Sequence, residues 1–487
     1  MAVCGCAKAV HLPANFAMYV QQLYTGCLSE AAYYIESGGE AAIVDPLRDI
    51  EHYTRLAKDR GATIKYIFET HFHADFVSGH IDLAKTTGAT IIYGPNTETR
   101  FPVHVAKDGE VFNLGEITIT ALHTPGHTLE STCYLLTDES GKDHCVFTGD
   151  TLFVGDVGRP DLAQKGEALT MQDLAGMMYD SLQKKIMPLA DDVIVYPAHG
   201  PGSACGKNLG PHTYSTIGTE KAENYALKAA SKEAFITAVT DGIAAPPSYF
   251  PINARINKEG YDSLDAVIKQ GMTPLSVEAV KNELEKDTLL LDTRPALLFT
   301  QGFIPGSVFI GLEGRFAEWA GSLLPFDQPM MILTDAGKEE ETIIRLARVG
   351  FSNVMGYVQG GFEAWKAAGE NVDMIIDVEA DELAMDLPFD DKLVVVDVRK
   401  PAEWGSGHVK GAVNIPLNEM TDPAATMSDL EENQNLYIHC AGGYRSVIAA
   451  SLLKRQGIHN LRNVLGGWAK IKEQQGITTV TEKEVLN

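Results

Sequence analysis

Over the first two hundred residues, apolar positions come in short runs broken by glycine and polar turns. AAYYIESGGEAAIVDP carries two β-branched and aromatic runs on either side of Gly38-Gly39, and TIIYGP follows at 90–95. Runs of this length and composition between turn residues predict strands. Helical stretches intervene, as near Ile50–Lys58. Residues 219–242, rich in Ala, Lys and Glu, read as one helix, and 243–260, with three prolines, reads as loop. The stretch near 272–275 reads as a linker, after which Ser276 is placed to cap a helix with Glu278 nearby.

The second half repeats itself. LLLDTRPALLFTQGFIPGSVFI from 289 aligns with VVVDVRKPAEWGSGHVKGAVNI from 394: Asp292, Arg294 and Gly306 match Asp397, Arg399 and Gly411 at an offset of 105. VQGGFEAW at 358–365 matches VLGGWAKI at 464–471 at an offset of 106. Each copy runs β-run, Asp-x-Arg, second β-run, loop, helix, then Gly-Gly into a helix, the alternation of a parallel-sheet α/β domain.

Composition narrows this picture. At about 150 residues per domain, 487 residues fit about three domains. With 65 acidic against 40 basic residues the net charge is −25, which argues against non-specific binding to nucleic acid or anionic lipid. Local arginines can still receive small anions. No apolar run approaches a membrane span, and the first residues lack the pattern of a secretory signal. A cytoplasmic protein is expected. Seven cysteines form an odd set that implies no disulfide framework. Cys4-Gly-Cys6 reads either as a metal-binding pair or as part of a frayed terminus.

Eleven of fourteen histidines precede residue 213, and none lies between 213 and 407. Within the first part, four apolar strands each deliver His or Asp at their C-terminal end. His71, His73 and Asp75 follow YIF at spacing i, i+2, i+4; His127 lies in HTPGHTLEST; Asp150 ends VFTGD; His199 ends YPAH. An α/β scaffold builds a metal site in this way. His80 and His123 read as structural, and His11, His52, His104 and His144 as isolated core or surface residues.

This set resembles the metallo-β-lactamase superfamily signature HxHxDH with a distant His, Asp and His, matched by His71, His73, Asp75, His127, Asp150 and His199. The last His of HxHxDH is Phe76 here, which removes a nitrogen ligand from a second metal and favours a single one. HADF, HTPGHT and GDVGRPDL resemble the persulfide dioxygenase branch. That resemblance implies one Fe(II) per chain on His71, His127 and Asp150, with His73, Asp75 and His199 orienting ligands or water. Arg159 reads either as the holder of a thiol carrier's carboxylate or as a structural partner of Asp161. Cys205 reads either as a thiol handling sulfane sulfur at the iron cleft or as a buried inert one.

NLYIHCAGGYRSVIAASLLK is a buried strand, a glycine loop and a helix. Cys440 opens the loop, where backbone N–H groups would stabilise a thiolate or persulfide, and Arg445 could complete the anion cradle. The C-x-x-x-x-R spacing resembles rhodanese domains, with Asp397, Arg399, His408 and Gly411 in matching segments. In the first copy Asp335 and Glu340 stand at the positions of Cys440 and Arg445, so that copy lacks the nucleophile and inverts the charge.

The whole resembles bacterial persulfide dioxygenase–rhodanese fusions. The implied architecture is an α/β multidomain chain: an αββα sandwich over 1–272, an inactive rhodanese-like parallel-sheet domain over 273–373, and an active one over 374–487. The implied reaction oxidises a low-molecular-weight persulfide with O2 to sulfite and thiol, and Cys440 and sulfite then give thiosulfate. A homo-oligomer is expected by analogy. The alternatives are a zinc thioesterase of glyoxalase II type with attached rhodanese units, and a sulfur-carrier or sensor scaffold with a vestigial iron site.

Overall fold

The computed structural model describes residues 18–164, 168–421, 430 and 434–482; Cys4, Cys6 and His11 lie outside the described residues. The chain divides into two compact units. One takes in residues up to Phe72 together with Gly79–Thr240, the other His73–Ser78 together with the residues from Asp241 on.

The first unit holds two six-stranded sheets. One runs, in spatial order, Tyr19–Thr25, Glu30–Ser37, Glu40–Val44, Thr63–Phe68, Thr90–Tyr93, His104–Val105. The hairpin around Gly38-Gly39 pairs Ser37 with Glu40, as the alternating pattern predicts. The other sheet runs Ser215–Thr216, Ile194–Pro197, Asp143–Gly149, Thr132–Thr137, Ile117–His123, Val111–Leu114. Between them lies a core of Tyr33, Phe68, Ile92, Tyr134 and Phe147 among others. Phe68 packs on Tyr134 and Tyr33 on Phe147 with ring centroids 4.7 and 5.0 Å apart, tilted pairs worth about 0.5–1.5 kcal/mol each beyond their buried area.

Apolar residues on the outer face of each sheet bury against helices. Ile43, Ile67 and Ile91 pack with Tyr53 and Ala57 of helix Glu51–Arg60 and Leu83 of helix His80–Thr87. Val146 and Val195 pack with Ala175 and Met178 of helix Met171–Ser181 and Phe235 of helix Lys232–Thr240. The layers are therefore α, β, β, α, the sandwich expected from the sequence.

The single helix expected over 219–242 is two, Ile217–Glu223 and Lys232–Thr240. Buried Asn224 interrupts it: its carboxamide oxygen accepts from Ala226 and Leu227 N–H, and its amide donates to the Asp156 carbonyl. These side-chain bonds compete with the helical ladder.

The second unit contains two five-stranded parallel sheets of one topology. In the first, spatial order is Pro274–Leu275, Val354–Val358, Met330–Leu333, Leu289–Asp292, Val308–Phe309. In the second it is Ile376–Val378, Leu461–Val464, Asn435–His439, Leu393–Asp397, Val413–Asn414. Counted along the chain, both read 1-5-4-2-3, so the sequence repeat is a repeat of fold. Its Asp-x-Arg signature is a buried ion pair in each copy. Arg294 Nη2 binds Asp292 at 2.6 Å and the Gly302 carbonyl at 2.9 Å, its guanidinium 4.2 Å from the Phe362 ring centre. Arg399 Nε binds Asp397 at 2.9 Å and Nη2 the Gly407 carbonyl at 2.7 Å, 4.7 Å from the Trp468 ring. Burial raises the Asp292 carboxyl, with the Arg294 hydrogen bond opposing.

Ser276 caps helix Val277–Leu284 by accepting from Ala279 N–H, as expected. The loop expected over 243–260 is not one throughout, for Phe250–Glu259 is helical. Its proline falls in the first turn, where an N–H has no helical partner to lose. Buried Asn257 of this helix donates to the carbonyls of His73 and Phe76 and accepts from Ser78 N–H, fixing the segment 73–78.

Candidate metal centre and cysteine loop

Strand Thr63–Phe68 leads directly to His71, strand Asp143–Gly149 to Asp150, and strand Ile194–Pro197 to His199, while His127 hangs in the loop after Ile117–His123. The structure brings His71, His127 and Asp150 together as one buried group, with candidate ligand atoms within 4.8 Å of one another. Asp150 Oδ2 lies 3.7 Å from His71 Nε2 and 3.4 Å from His127 Nε2, and Oδ1 lies 3.5 Å from His199 Nε2.

The hydrogen bonds behind each ring decide its tautomer. His127 Nδ1 lies 2.8 Å from the Arg159 carbonyl, which can only accept, so Nδ1 carries the proton. His199 Nδ1 faces the Ser29 carbonyl at 3.3 Å with the same result. The Thr70 hydroxyl donates to Asp45 Oδ2 at 2.9 Å, so its oxygen accepts from His71 Nδ1, also 2.9 Å away. Three imidazoles thus turn Nε2 lone pairs toward one buried carboxylate. Lone pairs and carboxylate oxygens cannot satisfy each other, and among the described residues neither His127 Nε2 nor either Asp150 oxygen has a hydrogen-bond partner. Burying that arrangement is unfavourable unless a cation joins it. Ligand atoms about 2.1 Å from a common ion lie about 3.0–3.4 Å apart, and the 3.4–3.7 Å spacings here stand at the upper end of that range or a few tenths of an ångström beyond it.

Cys205 also reaches this place, for its thiol, Asp150 and His199 form a second group within 4.8 Å. His73 and Asp75 lie on the segment fixed by Asn257, where the buried Phe76 ring stacks on His73 at 4.3 Å. His80 and His123 are structural, as expected: His80 is buried 3.3 Å from Glu69, and His123 Nε2 binds the Leu129 carbonyl at 2.9 Å. Arg159 makes the pair with Asp161 that one of its two readings expects. Its Nε and Nη2 bind Asp161 at 2.7 and 2.8 Å, and Nη1 binds the Ala204 carbonyl at 3.1 Å. Its backbone and that of Gly158 also pass tightly behind the ligands, a Cβ at Gly158 falling 2.0 Å from the Asp150 carbonyl. Burial pushes the Cys133 thiol up to about 11 and raises Cys145 as well, so these two are packing groups.

In the second unit, Cys440 is buried where strand Asn435–His439 meets helix Tyr444–Arg455. Gly443 N–H donates to its sulfur at 3.1 Å, and the Ser446 hydroxyl lies 3.7 Å away. The repeated Gly-Gly turn explains itself here. A side chain on Gly467 would strike the Cys440 carbonyl at 2.3 Å, and the same carbonyl accepts from Trp468 N–H at 2.6 Å. Arg445 has a carboxylate partner that the sequence did not reveal. It makes a two-pronged pair with Glu403 at 2.7 and 2.8 Å, holding that carboxyl below its usual range. It fixes the base of the loop through Glu403, and the donors facing the sulfur are Gly443 and Ser446. In the first copy the corresponding stretch has Asp335 just after strand Met330–Leu333 and Glu340 in the first turn of helix Glu339–Arg348.

Sequence reasoning missed Asp45, Thr70 and Glu403, and marked Gly467 only as part of the repeated Gly-Gly turn. Of the three missed, Asp45, at the end of a β-run before Pro46, carried a visible signal.

The metallo-beta-lactamase superfamily profile matches residues 25–199, and the rhodanese-like domain profile matches 276–368 and 379–474. A crystal structure of a metallo-beta-lactamase from Staphylococcus aureus is 33% identical, with a TM-score of 0.64, and the match covers 70% of this chain and 99% of that one. A probable hydroxyacylglutathione hydrolase of Schizosaccharomyces pombe is 31% identical over 36% of this chain and 66% of its own length. The crystal structure of ETHE1 from Myxococcus xanthus is 28% identical over 49% of this chain and 98% of that one, with a TM-score of 0.43. The chain spans about two thirds or less of the curated relatives it matches. Among the described residues, no helix is long and apolar enough to cross a membrane.

Proposed function

The chain belongs to the metallo-beta-lactamase superfamily and carries two rhodanese-like domains behind that domain, and from that premise we propose that it is a persulfide dioxygenase coupled to a sulfurtransferase. Its substrates are a low-molecular-weight persulfide and O2, and its metal is one Fe(II) held by His71, His127 and Asp150. The observation that supports this most is the set of Nε2 lone pairs aimed at a single buried carboxylate.

Two histidines and one carboxylate leave open positions, and bound Fe(II) would supply there a meeting place for O2 and the persulfide sulfur. The residues of the chain do the rest. Thr70 and the Arg159 carbonyl keep His71 and His127 in the ligating tautomer. His199 and Cys205 flank Asp150 and shape the remaining space. The balance is R–S–SH + O2 + H2O giving R–SH, sulfite and two protons.

Cys440 handles the second step. Its thiolate attacks the outer sulfur of a persulfide, the S–S bond breaks, and R–SH leaves with the proton. Sulfite then attacks the outer sulfur of the Cys440 persulfide, thiosulfate departs, and the thiolate returns beside Gly443 N–H. Neither step consumes an oxidant.

A second reading, a zinc thioesterase, draws on relatives named hydroxyacylglutathione hydrolases. Phe76 weighs against it, because an apolar residue holds the motif position from which a second metal would draw nitrogen. Metal analysis joined to an oxygen-electrode assay decides between the two. About one iron per chain and persulfide-dependent O2 uptake support the dioxygenase. Two zinc ions with thioester hydrolysis and no O2 uptake would overturn it.

A further inference from the structure

The copy without a nucleophile touches the loop of the copy that has one. Helix Tyr444–Arg455 begins inside the Cys440 loop, and its residues Tyr444, Ser451 and Arg455, at spacing i, i+7, i+11, share one face. All three meet the first copy along 306–311. The Tyr444 hydroxyl donates to the Gly311 carbonyl at 2.9 Å. The Ser451 hydroxyl accepts the Phe309 N–H at 2.9 Å, and Arg455 Nη1 donates to the Gly306 carbonyl at 2.9 Å.

Strand Val308–Phe309 is the edge of its sheet. An edge strand presents unpaired backbone groups, and here the catalytic helix supplies a partner for one of them. Tyr444 is the fastening nearest the sulfur, standing between Gly443, whose N–H faces Cys440, and Arg445, which holds Glu403. Its ring packs edge-on against Phe309 at 5.9 Å, and Gly311 lies so close that a Cβ there would sit 3.3 Å from the Tyr444 ring. Gly443 takes the left-handed backbone conformation that glycine favours, at φ +105°. The direction of its N–H therefore depends on what anchors the residue after it.

We propose that the first rhodanese-like copy sets the shape of the Cys440 loop through the Tyr444–Gly311 hydrogen bond, making Tyr444 a positioning residue for sulfur transfer and the nucleophile-free copy a working part of the site. This rests on the reading of Cys440 as the sulfur carrier. Burial raises the Tyr444 phenol far above its ordinary value, so it remains a donor throughout the working pH range.

The test uses the full chain and reads the thiol directly, by iodoacetamide alkylation of Cys440 across pH, with the modified peptide identified by mass. Tyr444→Phe keeps the ring and removes the donor. The expected result is alkylation about threefold slower at neutral pH, with the pH profile displaced upward by about half a unit. Gly311→Ala, which pushes a methyl toward the Tyr444 ring from the other copy, is expected to displace the profile in the same direction. A profile unchanged in both variants overturns the proposal, whether or not the thermal midpoint falls. A displacement in Tyr444→Phe alone overturns the role of the first copy. Alkylation reads the loop independently of the proposed reaction. Should Cys440→Ser leave thiosulfate output intact, the sulfur-carrier reading fails, while the alkylation data still report on the anchor.

Discussion

The Arg159 carbonyl accepts the Nδ1 proton of His127, while the guanidinium of the same residue is held by Asp161. The residue thus serves the metal centre with its backbone and its surrounding loop with its side chain. Arg159→Met is expected to leave the metal content near that of the parent and the KM for persulfide within about twofold, while the thermal midpoint falls. Losing one partner of a buried ion pair costs about 3–5 kcal/mol. A tenfold rise in KM without loss of stability would instead place the guanidinium on the substrate.

Thr70 reads His71 through Asp45. Thr70→Val removes the hydroxyl that accepts from His71 Nδ1 and donates to Asp45. The His71 tautomer is then no longer specified, and metal affinity is expected to fall about 10–100-fold. Competition with a chelator at fixed pH measures it, and an unchanged affinity would remove Thr70 from the centre.

Cys440→Ser separates the two halves of the proposed chemistry. The variant is expected to consume O2 with persulfide and to release sulfite in place of thiosulfate. Thiosulfate output equal to that of the parent would sink the role of Cys440.

Buried His439, next to Cys440, gives the stability a pH dependence. Burial lowers its pKa, with Asp397 3.6 Å away opposing. The folded protein therefore holds it neutral, and the unfolded chain takes up the proton first. Its contribution is fully present above the ordinary histidine value of about 6.5 and is lost as pH falls through the lower, folded value. Thermal midpoints at pH 7.5 and 5.5 should show a smaller acid-induced drop for His439→Gln than for the parent. Equal drops would clear His439 of the effect.

The residues of the candidate metal centre are legible in the sequence because strands deliver chemistry at their ends, and a strand ending in His or Asp can be read directly. The devices that set the tautomers are less visible. Two of the three are backbone carbonyls, of Arg159 and Ser29, and any residue could supply them. Both arginines show a related limit, since a sequence displays a cation but not which anion claims it. Asp161 and Glu403 claim these two. Helix Phe250–Glu259 was hidden because its prolines read as breakers, although the one inside it occupies the turn that tolerates proline.

The lone pairs gathered around Asp150 reach beyond catalysis. An ion that binds only the native chain pulls the folding equilibrium toward it, by an amount that grows with the ion's free concentration. An ion held at Asp150 would thereby tie the stability of the folded chain to the free concentration of that ion, and chains deprived of it would open more often and meet proteases more readily.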